Sequence, residues 1–559
     1  MAAITLGIFA AWFHAPLSGD NKIFFAAARQ ADNQGNFPLN VYRSWELKPL
    51  GHRAIIYGVY IIATVFSDFP AKVAFERAVK AVYGAIVFLA TLGFVFSIRR
   101  FLQGINLSPR LVFLAILLIF FSMSFLIRLQ PEEISLIFIM AAVPLALSNS
   151  RRLNLLAGLP LAALFTLKGI TVLLGFHVLL MVYVLGPDFR KNLVWSAAGA
   201  AGWLAVILGV LLTVFPQELR DMRNATLFQG SLEIELKRFG SLPWAFWHKF
   251  QFAPVLAPAV IFGWLSFPLL IYYRRWMDTF VIISVGAVSG AVVLIQGLFF
   301  GYHYAAFVAP AVWILVMILH RTGTLTGPMT GRQLAFLAGW SLGLVGFLAV
   351  ATYVDRRTTD VVPLSVIGYN LAALLAAFLI ALGWLLIRLK HSAGLPSDRL
   401  VMAGLAIVFA VAFWARYESP WNLYLSHGGT TAAERRVFGE LEERYRLSDQ
   451  EELLYLSGDG AYAYYFGAPT HCRYFTLEAI KRVHSEVGAK GLLDSPVFRE
   501  TMNCILSYQG EFILMAPVWP ALQSFTEVTE KIEEGYELVA ESNSSPEIAI
   551  YKRARSPGQ

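Results

Sequence analysis

The residues able to do chemistry are few, and they sit in short polar stretches between long apolar runs. The first stretch reads Ser18-Gly19-Asp20-Asn21-Lys22. Asp20 stands where the first apolar run ends, so its carboxylate is expected to be partly desolvated, with a basicity its surroundings can tune. That suits a general base acting on a substrate hydroxyl. It also suits a helix cap, because an amphipathic run from Lys22 to Ala31 follows. Both readings stay open on the residue alone. The next stretch, Trp45-Glu46-Leu47-Lys48-Pro49-Leu50, leads into a further apolar run. Lys48 could neutralise a lipid phosphate or simply snorkel to the interface.

A third stretch is Arg128-Leu129-Gln130-Pro131-Glu132-Glu133. Adjacent acids at a membrane boundary are costly and often functional, yet a helix starting at Pro131 would also welcome acids in its first turn. Arg128 could meet a phosphate or pair with those acids. Lys168, in Thr166-Leu167-Lys168-Gly169, stands between apolar runs and calls for an anionic partner, a polar cavity or a route to the interface. Tyr302 and His303 open another apolar run; they could donate hydrogen bonds to phosphate oxygens or belong to an interfacial aromatic belt. Residues 218–249 mix acids, bases and aromatics without singling one out.

Long apolar elements must position these residues. Of 559 residues, 57% are hydrophobic and 15% charged, against about a quarter charged in ordinary soluble chains. Apolar runs of about 17–25 residues recur from Met1 to Trp414, each able to cross about 30 Å of hydrocarbon as a helix. The alternation of membrane barrel strands is missing. The expected fold is therefore a polytopic α-helical membrane protein. Its roughly thirteen helices fall near 2–18, 77–98, 110–127, 134–149, 153–167, 170–187, 193–215, 253–273, 278–299, 304–319, 332–353, 362–388 and 398–415. Residues 2–17 show no cleavable signal peptide and read as a retained first helix.

Orientation follows from the basic doublets. Arg99-Arg100, Arg151-Arg152, Arg190-Lys191, Arg274-Arg275, His320-Arg321 and the Arg388–Lys390 cluster are assigned to the cytoplasmic side, with the N-terminus. They account for the net charge of +8 without nucleic acid. Residues 53–69 are apolar enough to span, but a crossing there would turn every later doublet outward. They are assigned to an interfacial or re-entrant helix. The outer face then carries loop 18–72, the turn at 128–133, loop 216–252 and everything after 415.

This divides the chain into a membrane domain, 1–415, and an extracytoplasmic α/β domain, 416–559. In the latter, Glu440–Arg446 and Asp449–Glu452 read as helix faces. Leu453–Leu456, Cys504–Tyr508 and Glu547–Tyr551 read as strands, and Ser457–Gly460 as a turn. The two cysteines, Cys472 and Cys504, could form a disulfide or stay as buried thiols.

Taken together, the first loop resembles a known pattern. It has an aspartate after the first helix, a small-residue amphipathic helix ending near Arg29, a Gly-x-x-Pro segment at Gly35–Pro38, and an aromatic ahead of Lys48-Pro49-Leu50. This is similar to the first loop of GT-C membrane glycosyltransferases, in the branch of protein O-mannosyltransferases and lipid A aminoarabinose transferases. That branch carries Asp-Glu where this chain has Asp20-Asn21, and Lys-Pro-Pro-Leu where it has Lys48-Pro49-Leu50. Thr166–Gly169 and the aromatic stretch Gly301–Pro310 resemble later motifs of the same family.

The resemblance implies a sugar donor carried on a polyprenyl phosphate and a glycan, lipid or protein acceptor on the outer face of the cytoplasmic membrane. It implies Asp20 as the base of one inverting displacement. Lys48, Lys168, Arg128, His303 and Tyr302 are then the candidates for the lipid phosphate, and Glu132, Glu133 and Glu46 for the acceptor or a divalent cation. No cofactor is required. The rival reading is a transporter or flippase for a lipid-linked glycan, whose charges would line a path through the membrane rather than gather at one face. Neither a phosphate-binding Walker loop nor zinc-ligand spacing is present, and no long internal repeat is visible.

Overall fold

The computed structural model describes residues 9, 13, 17, 19–35, 48–68, 72–104, 108–122, 129–186, 189–231, 264, 270–271, 274–296, 306–307, 309–311, 313–314, 317, 434–456, 461–472, 496–515, 525–542 and 548–554. The helices are α1 (Gly19–Gln34), α2 (Leu50–Phe66), α3 (Lys72–Gly104), α4 (Pro109–Ser122), α5 (Pro131–Ala146), α6 (Arg151–Leu167), α7 (Phe176–Leu185), α8 (Phe189–Thr213), α9 (Pro216–Ser231) and α10 (Trp276–Gln296). Among the described residues, Val73–Gly104, Phe189–Thr213 and Trp276–Val293 are long and apolar enough to cross a bilayer. They leave large apolar side chains exposed, among them Leu89, Phe96, Val194, Leu212, Phe280 and Ile283. Apolar surface on this scale marks a membrane or partner face. Helix α2 and the stretch Gly169–Leu185 are apolar but shorter.

The helices pair through small residues and local caps. A Cβ on Gly199 would lie 2.2 Å from the Leu155 carbonyl oxygen, so only glycine lets α8 lie this close to α6. Helices α5 and α6 form a hairpin whose turn is closed by Asn154. Its amide donates to the carbonyls of Leu145, Ala146 and Ser148 at 3.1, 2.9 and 2.9 Å, satisfying groups that a helix C-terminus leaves open.

Several expectations need correction. The helix placed at 77–98 runs the 33 residues Lys72–Gly104, because Glu76, which polarity excluded, is buried and bonded by Arg435 at 3.4 Å. The helix placed at 170–187 opens as a 3-10 turn, Gly169–Gly175. There the Thr171 hydroxyl lies 2.6 and 2.7 Å from the Leu164 and Lys168 carbonyls, which tightens the chain. Residues 216–252 are not all loop, since Pro216 at a first helical position starts α9. Asp20 does not cap α1 from outside, because the helix already begins at Gly19. Most of 2–18, the helices placed at 332–353, 362–388 and 398–415, His320-Arg321, the Arg388–Lys390 cluster and the Ser457–Gly460 turn lie outside the described residues.

Toward the C-terminus, helix α11 (residues 434–445) is followed by β1 (Leu454–Leu456), α12 (Ala461–Phe466), α13 (Pro496–Ser507), β2 (Phe512–Met515), α14 (Thr526–Gly535), β3 (Tyr536–Ser542) and β4 (Ile548–Arg553). The strands form one sheet in the order β1-β2-β4-β3, with β1 parallel to β2 and the other pairs antiparallel. Strand alternation divides its side chains. Leu454, Leu456, Ile513 and Met515 pack with Phe498, Ile505, Val528 and Ile532 of α13 and α14. Tyr455, Phe512, Leu514, Ile548 and Ile550 join the core that continues into the helical part.

Cys504–Ser507 is helical, not a strand. Val497, Phe498, Thr501 and Ile505 bury one helical face, and the apolar run was too short to reveal that period. Asp449–Glu452 is likewise no helix face, since a 3-10 turn, Leu447–Asp449, leads straight toward β1. Cys472 and Cys504 form a disulfide.

Candidate functional site

Three chain segments meet at one end of the helical part: the entry to α2, the entry to α5 and the exit of α6. Their approach is set by glycine, because a Cβ on Gly51 would fall 2.1 Å from the Thr166 hydroxyl oxygen. The entry to α5 is held in an unusual shape. Leu129 has φ 54°, a left-handed backbone that costs a non-glycine residue about 1–2 kcal/mol. Both of its backbone groups are bonded: its N–H donates to the Glu133 carboxylate at 2.9 Å, and its carbonyl accepts from His52 Nε2 at 2.7 Å. The His52 imidazole is neutral. Burial, reinforced by Lys48, holds its pKa down to about 3, against the raising effect of the Leu129 carbonyl.

The charged residues then fall into place. Lys168 donates to the Glu132 carboxylate at 3.0 Å, and Glu132 is fully buried. Lys48 reaches the Gln130 amide oxygen at 3.5 Å and lies over the Phe24 ring, 5.5 Å from its centre. Phe24 packs edge-on against His52. Arg53 pairs with Glu218 at 2.5 Å, and the other Glu218 oxygen accepts the Leu50 N–H at 2.7 Å. Glu218 thus caps α2 from a helix far along the chain and sets where Lys48, two residues ahead of Leu50, stands. Lys48, Arg53 and Lys168 all act on the charge of His52, so three cations surround one imidazole.

Asp20 lies in the first turn of α1, one helical turn before Phe24 and on the same face. Among the sequence-predicted residues, the structure therefore gathers Lys48, Glu132, Glu133 and Lys168 and places the backbone of Asp20 on the helix beside them. Glu46, Arg128, Tyr302 and His303 lie outside the described residues. The basic doublets sit elsewhere. Arg151-Arg152 begin α6 and Arg190-Lys191 lie at the start of α8, each a helix length from Lys168 and Glu218, and they are exposed.

No protein-family profile matches the chain, and no curated protein does. Among solved structures the chain is similar to one described as ArnT from Cupriavidus metallidurans bound to undecaprenyl phosphate. The match covers 99% of this chain and 97% of that one, at 12% identity and a TM-score of 0.47.

Sequence reasoning passed over His52, Arg53, Gln130 and Glu218. Gln130 lay inside a stretch already singled out, but a neutral amide gave no reason to choose it. His52 and Arg53 stand at the head of an apolar run, which is a usable signal of a polar neighbour. Glu218 had only its place in the first turn after Pro216.

A second polar group, on the sheet-bearing part, was also missed. His471 Nδ1 lies 2.9 Å from Glu452, and its Nε2 lies 3.4 Å from the Ser507 hydroxyl. Ser507 donates to the Cys504 carbonyl at 3.0 Å. That directs its proton away from the histidine.

Proposed function

We propose that the chain is a GT-C-type membrane glycosyltransferase. It moves a sugar from a polyprenyl-phosphate donor to a glycan, lipid or protein acceptor on the outer face of the cytoplasmic membrane. One observation carries the reading: Lys48, Arg53 and Lys168 converge with buried carboxylates at the end of the helices remote from the basic doublets, beside the helix whose first turn carries Asp20. A transporter would need charges along a path between the two ends.

In this reading the acceptor hydroxyl gives its proton to Asp20 while its oxygen attacks the anomeric carbon. The bond from that carbon to the phosphate oxygen breaks, its electron pair leaves with the phosphate, and the anomeric configuration inverts. Lys48 faces the departing phosphate, with Lys168 behind it, and a fixed ammonium in a low-dielectric site stabilises that charge strongly. Glu132 and Glu133 already hold Lys168 and the Leu129 N–H, so the reading asks for no metal. Helix α2 lies at the outer interface, where its charged first turn meets the phosphate level and its apolar end, with Val65 and Phe66 exposed, meets lipid.

The test is transfer by the purified chain in lipid nanodiscs with polyprenyl-phosphate sugars. Asp20→Asn should lower turnover by about 10²–10⁴-fold, the usual contribution of a general base, while still binding undecaprenyl phosphate. A folded Asp20→Asn protein with full turnover would refute the assignment.

A further inference from the structure

Helix α1 is buried on two opposite faces. Phe24 and Ala28 are on one; Lys22, Ala26 and Gln30, spaced four apart, are on the other. The first face meets the site through Phe24, which touches Lys48 and His52. The second meets the sheet-bearing C-terminal part. Lys22 pairs with Glu434 at 3.0 Å and lies 5.1 Å from the Tyr465 ring centre, while the Tyr465 hydroxyl donates to the same Glu434 carboxylate at 3.2 Å. Gln30 behaves like a strand neighbour. Its amide donates to the Ala468 carbonyl at 2.8 Å, and its oxygen accepts the Thr470 N–H at 3.0 Å.

These contacts do more than fill space. A buried lysine–carboxylate pair is strongly directional once its partners are fixed, and breaking one side leaves an uncompensated charge. The two Gln30 bonds read out the backbone of the 468–470 segment, so they set the register of α1 along its own axis. Together they fix both the rotation and the height of the helix on which Asp20 stands.

We propose that the C-terminal part is a positioning clamp for the site. Glu434, acting through Lys22, and the 468–470 backbone, acting through Gln30, hold α1 in the register that the transfer step needs. The catalytic half of this inference rests on the assignment of Asp20 as the base; the clamp itself does not. Neither Glu434 nor Gln30 touches substrate in this arrangement, so both are positioning residues.

The full chain in nanodiscs supplies the test, through amide hydrogen exchange and turnover. Glu434→Gln and Gln30→Ala should each speed exchange across residues 21–34 at least tenfold and leave residues 151–167 at the wild-type rate. Turnover should fall about tenfold or more, as expected for a small displacement remote from the chemistry, while undecaprenyl phosphate affinity stays within twofold. The charge-exchanged pair Lys22→Glu with Glu434→Lys should recover most of both losses.

Wild-type exchange across 21–34 in both variants would overturn the clamp. So would equal loosening of 151–167 in both, which would mean general unfolding. Faster exchange with wild-type turnover would overturn the positioning role. Should Asp20→Asn turn over normally, the functional assignment fails on its own, and the exchange data still decide whether the clamp exists.

Discussion

Removing Glu218 and Arg53 together should cost less than the sum of removing each alone. The pair is deeply buried, with side-chain exposures of 1% for Glu218 and 6% for Arg53, so solvent does not screen it. In Glu218→Ala the guanidinium loses this anion inside the protein, a loss of about 3–5 kcal/mol for a buried pair broken from one side. The Leu50 N–H also loses its acceptor, adding about 1 kcal/mol. Arg53→Ala strands the carboxylate instead and should be similarly severe. The double variant strands neither charge and leaves mainly a cavity and an uncapped helix. Its destabilisation should therefore fall short of the sum of the singles by about 2–3 kcal/mol. The assay is denaturant unfolding in nanodiscs, read together with the affinity for undecaprenyl phosphate. That affinity should fall in both singles, because the entry to α2 places Lys48. Destabilisations that add to within about 0.5 kcal/mol would refute the coupling.

Other outcomes follow from the same geometry. His52 has its pKa lowered from 6.5 to about 3, so below pH 6.5 the unfolded chain takes up a proton that the folded one refuses, and stability is lost as the pH falls. Between pH 7 and 5 that amounts to about 2 kcal/mol, and His52→Gln, which keeps an N–H donor for Leu129, should remove this share; an unchanged acid sensitivity would count against it. Glu132→Gln should take away the carboxylate that competes for Lys168 and tighten undecaprenyl phosphate binding about tenfold, or about 1.4 kcal/mol, whereas weaker or equal binding would make Lys168 a purely structural partner of Glu132. The Cys472–Cys504 disulfide closes a loop with a sequence separation of 32, so reduction should destabilise the sheet-bearing part by about 3–4 kcal/mol, read as the onset of proteolysis there.

How much of this was legible in the sequence depended on whether the deciding contact was local. Glu132 and Glu133 after Pro131 announced a helix start with acids in its first turn, and α5 has it. Lys168 between apolar runs called for an anion, and one is there, though it is supplied by the protein itself. The short apolar runs Leu453–Leu456 and Glu547–Tyr551 led to β1 and β4. The pairing of Arg53 with Glu218, 165 positions apart, had no sequence signal, because nothing local ties one to the other. The left-handed turn at Leu129 was equally hidden, since leucine is a residue that sequence rules would keep out of that conformation. Cys504–Ser507 failed for a different reason. Short apolar runs are ambiguous between strand and helix, and the residues that decide, Val497 to Thr501, lie upstream of the run.

The balance of charge sharpens the proposed mechanism. Among the described residues at the site, Arg53 is matched by Glu218 and Lys168 by Glu132. A lipid phosphate arriving there gains little from a cation whose carboxylate stays in place, because attraction and repulsion nearly cancel at these distances. In the proposed reaction Lys48 meets the donor phosphate from the entry to α2, where it lies 3.5 Å from the Gln130 amide oxygen. Lys168 contributes most where charge grows, as the sugar–phosphate bond breaks and the leaving group competes with Glu132 for its ammonium. A cation that is already paired, and is drawn away only by the charge of the transition state, favours turnover over tight binding of the donor.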